Sequence, residues 1–186
     1  QARLHQELDA TISNPITKHD RWASNAPGLH ILNRFADAIT GNLLDTLSDL
    51  DTASFDNAAV LLADRKRSIY FVGGRITGAI AEYFFTHMQV IRPKTALMSS
   101  NSSSWPQYML NMNAGDVLVI FDIRRYEQDM VTLAQVAHDN NVCILLFTDQ
   151  WTSPVSRFAE HTFRVRIEAP SAWDSSVVTL FVVEAL

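Results

Sequence analysis

Three short polar segments contain the residue types that could bind a small ligand, and each directly follows an apolar run. The candidate ligand-binding residues are Gly73, Gly74, Arg75 and Thr77 in the first segment, Ser99, Ser100, Ser102 and Ser103 in the second, and Asp122, Arg124 and Arg125 in the third. Arginine presents a forked set of donors that suits a carboxylate or a phosphate. The chemistry that these segments offer is therefore the binding of a small anion.

The glycine pair of the first segment predicts a tight turn that opens a helix. Glycine allows the backbone to approach a ligand closely, and the free N–H groups and dipole of a helix start favour an anion. Arg75 adds a fixed positive charge and Thr77 a hydroxyl. The spacing is neither the G-x-G-x-x-G dinucleotide motif nor a Walker motif, so an ordinary strand-to-helix turn is an equal alternative.

The other two segments also have two interpretations each. Residues 99–104 form a serine-rich loop that either lines a ligand site or simply connects two elements. In the third segment, the adjacent arginines Arg124 and Arg125 can clamp a carboxylate or phosphate through paired hydrogen bonds. The alternative is a network of ion pairs with Asp122, Glu127 and Asp129, within the chain or across a dimer interface.

The three segments converge only if the apolar runs before them are parallel strands of one sheet. The predicted strands are residues 69–72, 95–98, 117–121, 142–148 and 162–167, with helices near 77–89, 105–111, 127–140 and 154–159. This alternation is typical of a five-stranded parallel sheet between helices, an α/β fold in which ligands bind at the carboxyl ends of the strands. The last strand alternates apolar and polar residues, which predicts an edge strand.

The first third of the chain predicts a helical extension. Apolar residues recur every three or four positions over residues 28–50, which indicates a long helix with one buried face. That face comprises Leu29, Leu32, Ala36, Ile39, Leu43, Leu47 and Leu50. A second helix follows, with Ser54 as its predicted N-cap. We therefore predict an extension or linker over residues 1–66 and an α/β domain over residues 67–186.

Composition narrows the class of function. The 186 residues have a net charge of −5, which argues against nucleic-acid binding by this piece because phosphate contact needs a basic surface. The single cysteine, Cys143, excludes an internal disulfide and suits a cytoplasmic protein. The six histidines lack metal-ligand spacing, and no apolar run is long enough for a membrane span, so neither a metal nor another cofactor is expected. The start at Gln1 and the end inside the apolar run 177–186 predict a fragment of a longer chain.

A series of motifs resembles the RpiR/MurR-type transcriptional regulators over nearly the whole chain. The motifs are Tyr70-Phe71-Val72-Gly73-Gly74-Arg75, Ala81-Glu82-Tyr83, Trp105, Gly115-Asp116-Val117-Leu118-Val119, Phe121-Asp122-Ile123-Arg124-Arg125-Tyr126, Leu146-Phe147-Thr148-Asp149, Ser153-Pro154 and Glu168-Ala169-Pro170-Ser171. The resemblance implies a sugar isomerase (SIS) fold, a flavodoxin-like sheet. It also implies a small-molecule effector, often a phosphosugar, and DNA contact only through an amino-terminal helix-turn-helix domain that this sequence lacks.

The sequence departs from that family in both phosphate-binding loops. The family's first loop has the pattern G-x-G-x-S, and Arg75 stands here at the second glycine. In the family's S-x-S-G-x-T loop, Asp122 and Arg124 occupy the serine positions, Arg125 the glycine and Glu127 the threonine. These changes replace hydroxyls with charges, so a different small anion or a zwitterion is an alternative ligand.

We predict from this resemblance an effector-binding, dimeric or tetrameric domain without catalytic activity. The interface is expected on the apolar face of residues 28–50 or in residues 177–186, although both can instead be core. A phosphosugar isomerase is the alternative function, and a dimerisation module without a ligand is a third. An isomerase requires a general base, for which the candidates are Glu82, His87, Glu127, His138 and His161.

Overall fold

Two helices precede the sheet in the computed structural model, which describes residues 30–186. Helix α1 spans Ile31–Asp49 and helix α2 spans Thr52–Ala63. The predictions for residues 1–29, including Leu29, lie outside the described part. The predicted N-cap Ser54 is wrong, because the carboxylate of Asp51 caps α2 by accepting a hydrogen bond from Ala53 N at 3.1 Å. The hydroxyl of Ser54 bonds instead to Nδ1 of His161 at 2.7 Å.

Five parallel strands form the centre of the molecule. They are β1 (Ile69–Gly73), β2 (Thr95–Leu97), β3 (Val117–Phe121), β4 (Cys143–Asp149) and β5 (His161–Val165), in the spatial order β2-β1-β3-β4-β5. The connecting and closing helices are α3 (Thr77–Ile91), α4 (Trp105–Met109), α5 (Gln128–Asp139) and α6 (Val177–Ala185). The predicted α/β fold with a five-stranded parallel sheet is confirmed, and β5 lies at an edge as predicted.

Two predicted elements take a different form. The predicted helix near residues 154–159 is a 3₁₀ turn, Pro154–Arg157. Ser153 starts it by accepting a hydrogen bond from Val155 N, and only four residues follow, too few for an α-helix to develop. The apolar run 177–186 forms α6, with Val178, Thr179, Val182 and Val183 buried.

The two faces of the sheet have separate cores, because successive side chains of a strand point to opposite faces. One core contains four phenylalanines, Phe71, Phe121, Phe147 and Phe163, and is covered by α2, α3 and α6. The other is built around strand residues such as Leu118 and is covered by α4 and α5. Burial of each large apolar side chain contributes roughly 1.5–3 kcal/mol, so both faces stabilise the sheet.

Helix α1 meets this core mainly through its carboxyl-terminal half. Leu43 and Leu50 are partly buried against the core beneath α6, and Thr46 is buried. The prediction of a continuous buried face is wrong for Leu32 and Leu47, which are 70% and 46% exposed. The amino-terminal part of α1 extends beyond the layer that covers the sheet, which leaves its apolar residues in solvent. Among residues 30–186, no helix is both long and apolar enough to cross a membrane.

The strand order creates a crevice between the ends of β1 and β3. After β1 the chain passes into α3 on one face of the sheet, whereas after β3 it enters α5 on the other face. The two connections therefore diverge at their shared edge, which is where open α/β sheets bind ligands. The turn after β1 is tight: a Cβ atom on Gly73 would lie 2.5 Å from the carbonyl oxygen of Thr77.

We expect the substitution Gly73→Ala to destabilise the fold by about 1–3 kcal/mol or more, because the added methyl group meets backbone atoms that cannot move aside. Urea denaturation followed by circular dichroism measures this loss. Gly41→Ala is the matched control, since nothing lies within 4 Å of a Cβ at Gly41 in α1. Alanine there should stabilise by roughly 0.5–1 kcal/mol. Equal unfolding free energies for the two variants would contradict the crowding at Gly73.

Candidate functional site

The first wall of the crevice is the turn between β1 and α3. The hydroxyl of Thr77 accepts a hydrogen bond from Gly74 N at 2.8 Å and donates one to the carbonyl oxygen of Phe121 at 2.9 Å. This side chain therefore ties the turn after β1 to the end of β3. Arg75 is exposed in the same turn. Gly73 lies beneath the turn, where its lack of a side chain permits the close approach described above.

The second wall is the loop between β3 and α5, which has a strained backbone. Arg124 and Arg125 have φ angles of 45° and 50°, in the left-handed region that costs roughly 1–2 kcal/mol per non-glycine residue. The buried carboxylate of Asp149, at the end of β4, accepts hydrogen bonds from Arg124 N at 2.8 Å and from the hydroxyl of Tyr126 at 2.5 Å. It also accepts one from Trp151 N at 3.0 Å. Asp149 thus offsets the strain and fixes the loop.

A third wall closes the crevice into a pocket of about 370 Å³. This wall is the segment 172–176, between β5 and α6. The lining residues of the pocket are Gly74, Arg75, Ile76, Thr77, Asp122, Ile123, Arg124, Arg125, Glu127, Ala172, Trp173, Asp174, Ser175 and Ser176. Two of the three segments singled out in the sequence therefore meet at one site.

The serine-rich segment does not line this pocket. It follows β2, the edge strand, and forms a short 3₁₀ turn, Ser102–Ser104, that leads into α4. The indole N–H of Trp105 donates to the carbonyl oxygen of Ser99 at 2.7 Å, and Trp105 is buried in the core on the α4 and α5 face. This contact holds the loop away from the crevice. None of the described pocket-lining residues is one of the four predicted serines, Ser99, Ser100, Ser102 and Ser103.

The guanidinium of Arg124 bridges the second and third walls. Its Nε lies 2.8 Å from Oδ2 of Asp174, and a second contact of 3.3 Å joins Nη2 to Oδ1. The guanidinium carbon also lies 4.5 Å from the ring centre of Trp151, in a cation–π arrangement. Arg75 and Arg125 are exposed at the pocket mouth. Positive charge is therefore available to a ligand anion at the entrance.

The carboxyl group of Asp122 lies at the pocket floor and is 4% exposed. Burial raises the pKa of this group from 3.8 to about 6, although hydrogen bonds from the hydroxyl of Ser153 and from the backbone of Glu127 oppose the shift. The nearby carboxylates of Glu127 and Asp149 raise it further. The floor is thus a carboxyl that can be neutral or charged near neutral pH, and it carries little of the hydroxyl character that the family pattern predicts.

Glu127 is the one candidate general base, among the five predicted, that lines the pocket. Its Oε1 lies 3.1 Å from the position of a Cβ on Gly74, so the carboxylate faces the turn after β1. The other candidates, Glu82, His87, His138 and His161, lie outside the pocket lining. Among the described residues, no group of three or more histidine, cysteine, aspartate or glutamate side chains is arranged to hold a metal ion.

The third wall, which contains Asp174, Trp173 and two serines, was not predicted from the sequence. A signal was present, because β5 is parallel to its neighbours and the chain after it must leave from the same sheet edge as the other loops. The polar stretch Ser171-Ala172-Trp173-Asp174-Ser175-Ser176 follows at that point. A polar segment after the last strand is therefore as informative as those after the first three.

The pKa of Asp122 generates a prediction for pH dependence. Between pH 3.8 and about 6 the folded protein retains a proton that the unfolded chain loses, so the free energy of unfolding falls as the pH rises through this range. The fall amounts to roughly 3 kcal/mol at most. We expect Asp122→Asn, which cannot ionise, to gain stability relative to the parent over this range, measured by urea denaturation. Ser153→Ala retains the carboxyl and should keep the slope. Parallel curves for the parent and Asp122→Asn would show that the carboxyl titrates normally.

Fold and site together define a class of protein: an open α/β domain with a charged pocket at the switch point of a parallel sheet. The family model of the SIS domain matches residues 61–186, and the chain therefore belongs to the SIS domain family. A comparison with curated proteins by sequence found no match.

Solved structures with this fold include both regulators and enzymes. The sugar isomerase domain of an RpiR transcription factor from Sphaerobacter thermophilus is 21% identical, with a TM-score of 0.74 over 83% of this chain and 85% of that one. The Vibrio vulnificus NanR protein, complexed with ManNAc-6P, is 16% identical, with a TM-score of 0.70 over 84% of this chain and 60% of that one. A phosphoheptose isomerase from Francisella tularensis is 14% identical, with a TM-score of 0.65 over 83% of this chain and 92% of that one. At these identities the likeness shows the fold.

Proposed function

We propose that this chain is the effector-binding domain of a bacterial transcriptional regulator of the RpiR type, and that it binds a small anionic metabolite, a phosphosugar or a related compound. The observation that carries the proposal is the pocket at the β1/β3 switch point with Arg75, Arg124 and Arg125 in its lining. Three guanidinium groups on two facing loops suit a phosphate or carboxylate better than a neutral sugar. The effector would modulate DNA binding by an amino-terminal helix-turn-helix domain, in a cytoplasmic protein.

The comparisons support this ligand class at the level of relatives. NanR was solved with ManNAc-6P, and an Escherichia coli protein with the same fold was also solved with a phosphosugar. The net charge of −5 also fits a domain that leaves DNA contact to another part of the protein. The carboxyl groups of Asp122 and Glu127 near the arginines favour a ligand that carries a hydrogen-bond donor or a positive group beside its anion.

A homodimer or tetramer is part of the proposal. Exposed large apolar residues occur on α1, α2 and α6, including Leu44 at 62%, Val60 at 69% and Phe181 at 41% exposure. Apolar side chains on neighbouring helices are typical of surfaces that associate. Two-fold association also suits a regulator that reads a palindromic operator.

The binding proposal is tested by thermal shift with ManNAc-6P and inorganic phosphate. A ligand that binds only the folded state raises the melting temperature, and at 100 times its Kd it stabilises by about 2.7 kcal/mol. We expect Arg75→Ala and Arg125→Ala to weaken binding by about tenfold or more, since a charge-assisted contact is worth roughly 1.5–3 kcal/mol.

Arg65→Ala is the control for these two variants, because Arg65 is exposed and lies outside the pocket lining. It removes the same charge and should leave the affinity unchanged. If all three variants respond like the parent, the ligand does not bind at the switch point.

A phosphosugar isomerase is the second candidate function, favoured by the position of Glu127 in the pocket and by the isomerases among the structural relatives. In that case the Glu127 carboxylate would move a proton beside the carbonyl carbon of an open-chain sugar phosphate. Turnover assays on a panel of ketose and aldose phosphates decide between the two. We expect no turnover, and turnover that Glu127→Gln abolishes would establish the enzyme instead.

A further inference from the structure

The ion pair between Arg124 and Asp174 places a carboxylate of the protein where a ligand anion would be held. Both residues line the pocket, and their side chains are only 13% and 25% exposed. Two nitrogens of Arg124 face the two carboxylate oxygens of Asp174, at 2.8 and 3.3 Å. This is the paired geometry in which a guanidinium binds a carboxylate or phosphate ligand.

The loop side of this contact is held firmly. The backbone of Arg124 is fixed by Asp149, and its guanidinium lies over Trp151. The Asp174 side is a segment without regular secondary structure between β5 and α6. A change in this ion pair is therefore expected to move residues 172–176 more than the loop after β3.

The segment that carries Asp174 is joined to the residues that hold helix α1. Next to Asp174, Ser175 N donates a hydrogen bond to the carbonyl oxygen of Ile167 at 2.8 Å. The neighbours of Ile167 on both sides contact α1. The contacts are Arg166 N to the hydroxyl of Thr46 at 3.0 Å, Arg166 to the carboxylate of Asp49 at 2.8 Å, and the amide of Asn42 to the carbonyl oxygen of Glu168 at 2.7 Å.

Helix α6 provides a second connection to α1. It begins at Val177, directly after the pocket segment, and packs against α1. Its first turn is linked to the pocket segment by Val177 N, which lies 3.3 Å from the hydroxyl oxygen of Ser175. Residues 166–183 thus form one continuous stretch that touches the pocket in the middle and α1 on both sides.

We propose that Asp174 is a built-in competitor for the ligand: its carboxylate occupies Arg124 in the ligand-free protein, an anionic group of the ligand displaces it, and the released segment 172–176 loosens the hold of residues 166–168 and α6 on α1. The proposal rests on the proposed function for the identity of the site. It adds a physical route by which occupancy of the pocket reaches the amino-terminal helix, as a change in differential contacts between two states.

The first test needs no ligand and uses hydrogen exchange read by mass spectrometry on the 186-residue chain. Asp174→Asn keeps the size of the side chain and removes its charge. We expect amide exchange in residues 42–49 and in α6 to become about fivefold faster or more, the lower end of typical coupling between sites. Asp64→Asn is the control, because it breaks a similar ion pair, 3.0 Å from Arg67 Nε, just before β1 at the amino end of the strand. Unchanged exchange of α1 in Asp174→Asn overturns the route.

The second test measures competition with inorganic phosphate as the probe. Removal of the internal carboxylate should strengthen phosphate binding to Asp174→Asn by about fivefold or more relative to the parent. In the double variant Asp174→Asn with Arg124→Gln this gain should disappear. Equal phosphate affinity of the parent and Asp174→Asn overturns the competition. Melting curves in the absence of phosphate confirm that each variant is folded.

These results separate the inference from the proposed function. If Arg75→Ala and Arg125→Ala bind ligand like the parent, the site assignment fails, whatever the exchange data show. If those variants lose binding while Asp174→Asn changes neither phosphate affinity nor exchange of α1, the site stands and the competitor role of Asp174 fails.

Discussion

The site depends on one buried carboxylate. Asp149 accepts three hydrogen bonds at the end of β4, and two of them hold the loop after β3 in a conformation that consecutive arginines otherwise avoid. Without this partner, the cost of two left-handed residues would favour a different loop, and the guanidinium of Arg124 would leave its place over Trp151. Strain of this kind is retained where the surrounding structure compensates for it, which occurs often at binding sites.

The charge pattern of the pocket differs from a simple anion site. Arginines dominate two of its walls, but the carboxyl of Asp122 forms the floor and Glu127 lies beside the turn after β1. The hydroxyls that the family pattern leads one to expect are partly replaced by this mixture. Thr77, which retains its hydroxyl, uses it to join the ends of β1 and β3. Affinity for a phosphate alone is thus reduced in favour of ligands with both donors and acceptors.

The sheet could be predicted from the sequence because its signals are local. Runs such as 117–121 are apolar throughout, as expected of strands buried on both faces, and the helices between them fix the parallel direction. The site was predictable only in part. Arg75 and Arg124 meet because the switch point lies between β1 and β3, whereas Ser99 follows the edge strand and is held away by Trp105. Strand order decides this, and spacing along the chain does not encode it. The exposure of Leu32 has the same origin, since periodicity identifies an apolar face but not the layer that covers it.

The three walls of the pocket come from residues near 74, 124 and 174, which are about 50 residues apart along the chain. No single supersecondary unit contains the pocket, and it exists only once β1, β3 and the segment after β5 have assembled. Contacts between residues so distant in sequence form late, because closing long loops costs entropy before any contact forms. A metabolite can therefore recognise only the fully folded chain. During synthesis it would offer no protection against proteolysis until the last turn of the polypeptide has docked.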